Sequence, residues 1–317
     1  MNAKTWIVML ATAVLALGGG AQVRAGNITI TNTWDGGGSD NDWSTTENWS
    51  DVIDKSSTPW AAGTDGTDDV CTDFENDGTN KYRHSGRIPG GFTVNVTGDE
   101  KARDITVGTD GAATLNISSG VLSSNAGALV VNNGSTLNVT GGTLNSQRDL
   151  ELRGDSTLAV SGSAAVRGTH TSAGFNGIEG NVVITGSSVD WNVATESAAN
   201  PFAVKDTDFT FTADVSGIST LFVEAYSLDP SKTNTVTLDL GAMALDGTES
   251  FVLFDALSGV DDTKQFDTVT VNNGGGFAWA AVYDEDNQEI RVEVPEPATL
   301  ALLGLGGIGL LMRRRRG

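Results

Sequence analysis

The sequence predicts an all-β chain: a short right-handed parallel β-helix of about 22 residues per rung, followed by an antiparallel β region or a β-sandwich-like cap. Three observations predict it. Four short apolar strands overlay, at Thr114–Ile117, Thr136–Val139, Thr157–Val160 and Asn181–Ile184, with lead residues Leu115, Leu137, Leu158 and Val182 spaced 22, 21 and 24 apart. Each is followed by a turn glycine, namely Gly120, Gly141, Gly162 and Gly186. Within each strand the residues alternate, so Leu and Ile/Val point inward while Asn116 or Asn138 points outward. One such rung cannot bury its apolar face alone, but stacked rungs make continuous aliphatic ladders. A leucine-rich repeat has a similar period, but its consensus asparagine and helical return are missing.

The chain divides into five segments. Residues 1–25 hold one lysine, Lys4, an apolar run from Trp6 to Leu17 and small residues up to Ala25. That order is the pattern of a secretory signal peptide. Cleavage is expected between Ala25 and Gly26 by a signal peptidase, with Ala21 as the alternative position.

Residues 26–99 form a segment rich in Trp, Gly and Asp. Ile28-Thr29-Ile30-Thr31 alternates like a strand, and Trp34, Gly36-Gly37-Gly38, Trp43 and Asn48-Trp49 follow. These residues resemble the Trp/Gly opening of many autotransporter-like and PEP-CTERM surface proteins, which implies the start or cap of a β-solenoid. A cap is needed physically, because the first rung otherwise exposes a core edge and open strand edges. The rival reading of Trp34, Trp43, Trp49 and Trp60 is a sugar-stacking platform. Asp65, Asp68, Asp69, Asp73 and Asp77, with Glu75, crowd the next loop. Calcium is the one cofactor such a loop could hold, but its spacing departs from the EF-hand pattern and a solvated loop is the simpler reading. Cys71, the single cysteine, lies in the same acidic stretch and reads as a small filler rather than a nucleophile.

Residues 100–200 carry the repeats. Further apolar positions follow the turns near Leu122, Leu144, Val166 and Val189. Another set precedes the strands at Leu129/Val131 and Leu150/Leu152, with Ile105/Val107 as a looser match. From about 100 to 193 the pattern resembles autotransporter-associated β-strand repeats. Thr169–Gly180 interrupts it with His170 and Glu179, a lone histidine near a lone glutamate and a weak candidate for acid–base chemistry. Arg148, Asp149, Glu151, Arg153 and Asp155 alternate in sign, as in a solvated rung with cross-rung ion pairs.

Residues 201–293 read as a C-terminal region of longer antiparallel strands, at Phe209–Thr212, Thr220–Ala225, Thr235–Leu240, Ser250–Phe254, Phe266–Val271, Ala278–Tyr283 and Glu289–Val294, separated by turn signals such as Asp246-Gly247 and Asn272-Asn273-Gly274. Either a small sandwich or wider rungs that finish the solenoid would satisfy this alternation.

Residues 294–317 contain Pro295-Glu296-Pro297, an apolar segment from Ala298 to Met312, then Arg313, Arg314, Arg315 and Arg316. This tail resembles the PEP-CTERM sorting signal of exported bacterial proteins. The resemblance implies recognition by an exosortase-like sorting enzyme and delivery to the cell surface or extracellular matrix. As a helix the fifteen apolar residues reach about 22 Å, short for a full crossing, so transient inner-membrane anchoring with the arginines on the cytoplasmic side is the expectation.

Charge narrows the function. The chain holds 40 acids against 19 Lys and Arg, a net charge of −21. Without residues 1–25 and 295–317 the body keeps 13 bases and 39 acids, near −26. Such a body is a poor nucleic-acid partner, since phosphate needs Lys and Arg. There is no H-E-x-x-H, P-loop, G-x-S-x-G or dinucleotide fingerprint. The sequence therefore points to a secreted or cell-surface structural, matrix-associated protein without enzymatic activity, catalytic residues or resident cofactor. A carbohydrate-binding or adhesive module, with extracellular polysaccharide as partner, is the alternative. A polysaccharide-cleaving β-helix enzyme stands behind it.

Overall fold

Strands of like sequence stack best when every rung places the same kind of side chain above its neighbour, and the pairing of this chain follows that rule. The computed structural model describes residues 27–45, 48–50, 75–76, 81–124, 127–146, 149–168, 176–193, 202–260 and 265–295. Among them there is no α-helix.

The chain opens with β1 (Asn27–Trp34), β2 (Trp49–Ser50), β3 (Glu75–Asn76) and β4 (Lys81–Ile88). β1 pairs with β4 in parallel, while β2 and β3 add short antiparallel edges to β1 and β4. Short strands then recur in threes. β5 (Thr93–Val96) and β6 (Glu100–Ala102) complete a turn begun by β4. β7 (Asp104–Val107), β8 (Thr114–Ile117) and β9 (Val121–Ser124) make the next. β10 (Leu129–Val131), β11 (Thr136–Val139) and β12 (Thr143–Ser146) follow, and then β13 (Leu150–Leu152), β14 (Thr157–Ser161) and β15 (Ala165–Gly168). Each strand pairs in parallel with its counterpart one turn away, so three sheet faces run along the solenoid.

The ladders form where the sequence places them. On the second face Val94, Leu115, Leu137, Leu158 and Val182 lie in register, and Val96, Ile117, Val139, Val160 and Ile184 make the adjacent row. On the first face Val107, Val131 and Leu152 align. All of these side chains are buried. Outside the second face, Asn138 Nδ2 donates to Asn116 Oδ1 at 2.8 Å, and Asn116 Nδ2 donates to Asn95 Oδ1 at 2.9 Å. The third face differs from expectation at one rung: the position expected near Val189 is filled by Trp191, which pairs with Val166.

The region beyond residue 200 continues the coil with parallel pairing, rather than forming the antiparallel region or sandwich that its alternation also fits. β16 (Asn176–Thr185), β17 (Asp190–Asn192), β18 (Phe202–Thr212), β19 (Leu221–Leu228), β20 (Thr235–Asp239), β21 (Ser250–Ser258) and β22 (Thr268–Asn272) remain parallel to their counterparts. Among the described residues beyond 200, apart from an isolated antiparallel bridge between Asp214 and Gly217, antiparallel pairing enters at the end, where β24 (Glu289–Glu293) lies between β21 and β23 (Ala280–Asp284). The turns also widen. Second-face partners are separated by 21 to 24 residues up to Val182, then by 27 to Phe209, 27 to Val236 and 33 to Val269.

A wider turn encloses more volume, and a close-packed interior must fill it. The filling changes from aliphatic to aromatic where the turns widen. Phe209, Phe254 and Phe266 pack with Phe202, Phe211 and Tyr226 at centroid distances of 5.2 to 6.4 Å.

Tight corners depend on glycine where stacked backbones approach. At Gly120 φ is +68°, and a Cβ there would lie 2.1 Å from the carbonyl oxygen of Gly98 one turn below. Both the dihedral and the contact exclude a side chain. Because Leu137 is enclosed above and below by Leu158 and Leu115, Leu137→Ala is expected to cost about 3 kcal/mol. Asn138→Ala, which removes one external ladder bond, should cost about 1 kcal/mol. Urea denaturation of both variants checks the ordering; equal small losses would mean that the rungs are not stacked in this register.

Candidate functional site

Side chains are released from the repeat at the two ends of the solenoid. At the N-terminal end Trp34, Trp43 and Trp49 are 1, 0 and 4 % exposed. Trp49 packs edge-on against both others at 5.1 and 4.7 Å, and its Nε1 donates to the Trp43 carbonyl at 2.8 Å. Three buried, interlocked indoles plug a core edge. They offer no stacking face to a sugar, so the platform reading fails for these three; Trp60 lies outside the described residues.

The polar residues among the tryptophans brace the same cap. Asn48 accepts from Gly38 N at 2.9 Å and donates to the Asp40 carbonyl at 3.0 Å. Asp40 accepts from the Thr45 hydroxyl at 2.7 Å and from Asp42 N at 3.1 Å; these two bonds hold its carboxyl below the usual range. Burial alone would raise Asp42, but bonds from the Thr97 hydroxyl at 2.7 Å and from Ser44 outweigh it and leave its carboxyl lowered.

Glu100 is the exception in this corner. Its register partner is Leu122, so it stands at the foot of a buried third-face ladder that continues through Leu144 and Val166. Burial first, then the charges of Asp42 and Asp99, push its carboxyl up to about 7. Sequence reading missed it, because Glu-Lys-Ala reads as a solvated run; the signal was its alignment with Leu122.

Among the described residues the other candidate groups are not brought together. Arg153 Nε donates to Glu151 at 2.9 Å, so that ion pair joins two residues of the same rung and not neighbouring rungs as expected. Arg167 and Asp190 do pair across rungs. Glu179 lies in β16, whereas His170 and Arg148 lie outside the described residues. Among the described residues no group of three or more His, Cys, Asp or Glu is placed to hold a metal ion. The side chains of the acidic loop from Asp65 to Asp77, with Cys71, lie outside them.

The C-terminal end fixes how the tail leaves the body. Arg291 on β24 donates to Asp284 at 2.7 Å and to Glu293 at 2.9 Å. The Arg291 bond, with those from Asn287, holds the Asp284 carboxyl well below the usual carboxylate range. Val292 is fully buried, and Val294 N donates to the Glu249 carbonyl at 3.1 Å. Pro295 then stands exposed as the last described residue. Beside this exit the last turn of the core stays partly open, as a 260 Å³ cleft between Val269, Val271, Trp279 and Val292. Of the residues expected to act in sorting and export, Pro295 alone is placed; Glu296, Pro297, Arg313–Arg316, Ala25 and Gly26 lie outside the described residues. Among the described residues no helix is long and apolar enough to cross a membrane, and the apolar segment 298–312 lies outside them.

Comparison with known proteins agrees with this exit point. Residues 293–316 match the family described as the PEP-CTERM protein-sorting motif. The match begins at the last residue of β24. No curated protein and no solved structure matches the chain.

Glu100 supplies a pH test. A carboxyl raised from 4.5 in the unfolded chain to about 7 in the folded one binds its proton more tightly when folded. Its contribution to stability is therefore full below pH 4.5 and is lost as pH rises through 7. With the half-exposure discounted for screening, the loss is about 1 kcal/mol. Glu100→Gln should match wild type at pH 4 and exceed it by that amount at pH 8 in thermal melts. Parallel stability curves for the two proteins would contradict the assignment.

Proposed function

We propose that this is an exported surface or matrix-associated structural protein, which a signal peptidase processes at Ala25–Gly26 and an exosortase-like enzyme recognises at Pro295-Glu296-Pro297. One observation carries the reading: the sorting motif follows β24 directly, with no intervening linker, and Pro295 is presented at the surface. The apolar segment and Arg313–Arg316 then serve as a transient inner-membrane anchor.

On this reading the body works as a rigid non-catalytic scaffold without a resident cofactor. Two features support a scaffold. Inter-rung backbone bonds and ladders run its whole described length, so stiffness does not depend on one local packing contact. Two carboxylates at its N-terminal end are engaged as braces, Asp40 by Thr45 and Asp42 by Ser44 and Thr97. A net charge near −26 keeps such bodies apart in solution unless cations or a neutral partner bring them together.

Replacing Pro295 and Glu296 together by alanine should leave full-length chain in the membrane fraction and remove processed body from the medium. Immunoblots of cell fractions from the source organism check this. Unchanged processing and release would contradict recognition at this motif.

A further inference from the structure

The two ends of the solenoid are closed unequally. On β20 Val236 and Leu238 are fully buried, while their register partners on β22, Val269 and Val271, stay partly exposed at the same inward positions. Among the described residues β22 pairs with β20 and with no further strand. The opening that remains is lined by these two valines together with Phe277, Trp279, Ala281 and Val292. Phe277 is 38 % exposed and is one of three large apolar side chains that stand exposed among the described residues. Trp279 is held in place, its ring stacked on Phe251 at 6.0 Å and its Nε1 donating to the Gly274 carbonyl at 3.0 Å. At 260 Å³ the opening is smaller than small-molecule sites, which run from about 300 to 1,000 Å³.

The chain leaves the body beside this opening. Ala280 is the register partner of Glu293, so Trp279 and Phe277, just before Ala280, flank the exit at Pro295. The apolar segment begins at Ala298. The three residue steps from Pro295 to Ala298 reach at most about 11 Å. The headgroup layer on one side of a bilayer is roughly 5 to 8 Å deep. A tail seated in hydrocarbon therefore holds this end of the body in or against that layer.

We propose that the C-terminal end of the solenoid is a membrane-docking face, with Phe277 and Trp279 lying in the headgroup layer of a neutral, zwitterionic lipid surface. The inference rests on the reading of residues 298–312 as a membrane anchor. Aromatic rings favour that layer, and with the Trp279 N–H already bonded it is the ring that the protein presents. Charge selects the lipid. Glu249 and Glu293 stand next to the exit, where Val294 N donates to the Glu249 carbonyl. Their carboxylates accept from Gly247 N and Arg291 Nε, each at 2.9 Å. A body near −26 is repelled by anionic headgroups. A second copy of the chain would bring the same charge against itself, which disfavours it as the occupant.

The test reconstitutes the purified full-length protein, in a Trp6→Phe background, into phosphatidylcholine vesicles with and without brominated acyl chains, and reads flotation and tryptophan emission. The protein should float with the vesicles, and brominated lipid should quench its emission. Trp279→Phe should remove at least half of that quenching, whereas Trp191→Phe, at a buried ring, should leave it unchanged. Phe277→Asp, or the milder Phe277→Ser, should lower the quenching at least twofold without changing flotation. Phosphatidylglycerol in place of a third of the lipid should lower it too. Circular dichroism and melting of each variant confirm folding. Flotation without quenching of Trp279, quenching that both Phe277 variants leave intact, or quenching strengthened by phosphatidylglycerol would overturn the docking face and leave the anchor in place. Absence of flotation would overturn the anchor reading and this inference with it. Dimers in lipid-free solution that Phe277→Asp dissociates would overturn it as well, by assigning the opening to a second copy of the chain.

Discussion

In-register stacking of parallel rungs is the constraint on which the rest of this structure depends. Each backbone amide of a rung finds its partner one turn away, so the chain must return to the same place with the same residue parity. A slip of one residue would turn every inward Leu outward. The constraint explains why Leu115, Leu137 and Leu158 superpose, why Gly120 cannot carry a side chain above Gly98, and why outward positions can be almost any small polar residue. It also explains the ends. A stack of rungs has two open faces, and this chain covers the first with three indoles and the last with an antiparallel pair.

Most of the repeat was legible in the sequence, because the narrow turns change length by only a few residues and the apolar lead residues recur. Legibility failed where that regularity failed. Val189 was read as the third-face position, but the turn after Gly186 is longer than its predecessors and Trp191 reaches the ladder instead. Beyond Phe202 the alternation of Val236-Thr237-Leu238 is the same for parallel and antiparallel strands. Pairing direction there is set by where the chain returns, and spacings of 27 to 33 residues give no constant period from which to read it. The switch from Leu and Val to Phe was the available sign that the turns had widened.

The candidate functional residues divide in the same way. The tail was legible because a sorting signal is read as linear sequence and needs no fold to be recognised; residues 293–316 match it. The tryptophans were ambiguous, since a cap and a sugar platform use the same residue type, and burial decides between them. Glu100 was invisible, because its environment is made by Leu122 and Asp42 from other turns. The second face was visible residue by residue as outward Thr and Asn.

A continuous solenoid requires that the parallel stack run unbroken from β5 to β22. Asn95 and Thr270 occupy the same outward column, seven rung steps apart. At the usual rung spacing they should lie about 34 Å apart. Electron–electron distance measurement between spin labels at Asn95→Cys and Thr270→Cys, in a Cys71→Ser background, reads this directly. A narrow distribution near that length is the predicted result. A distance below about 20 Å, as a strand folded back into a sandwich would give, would contradict the continuous solenoid.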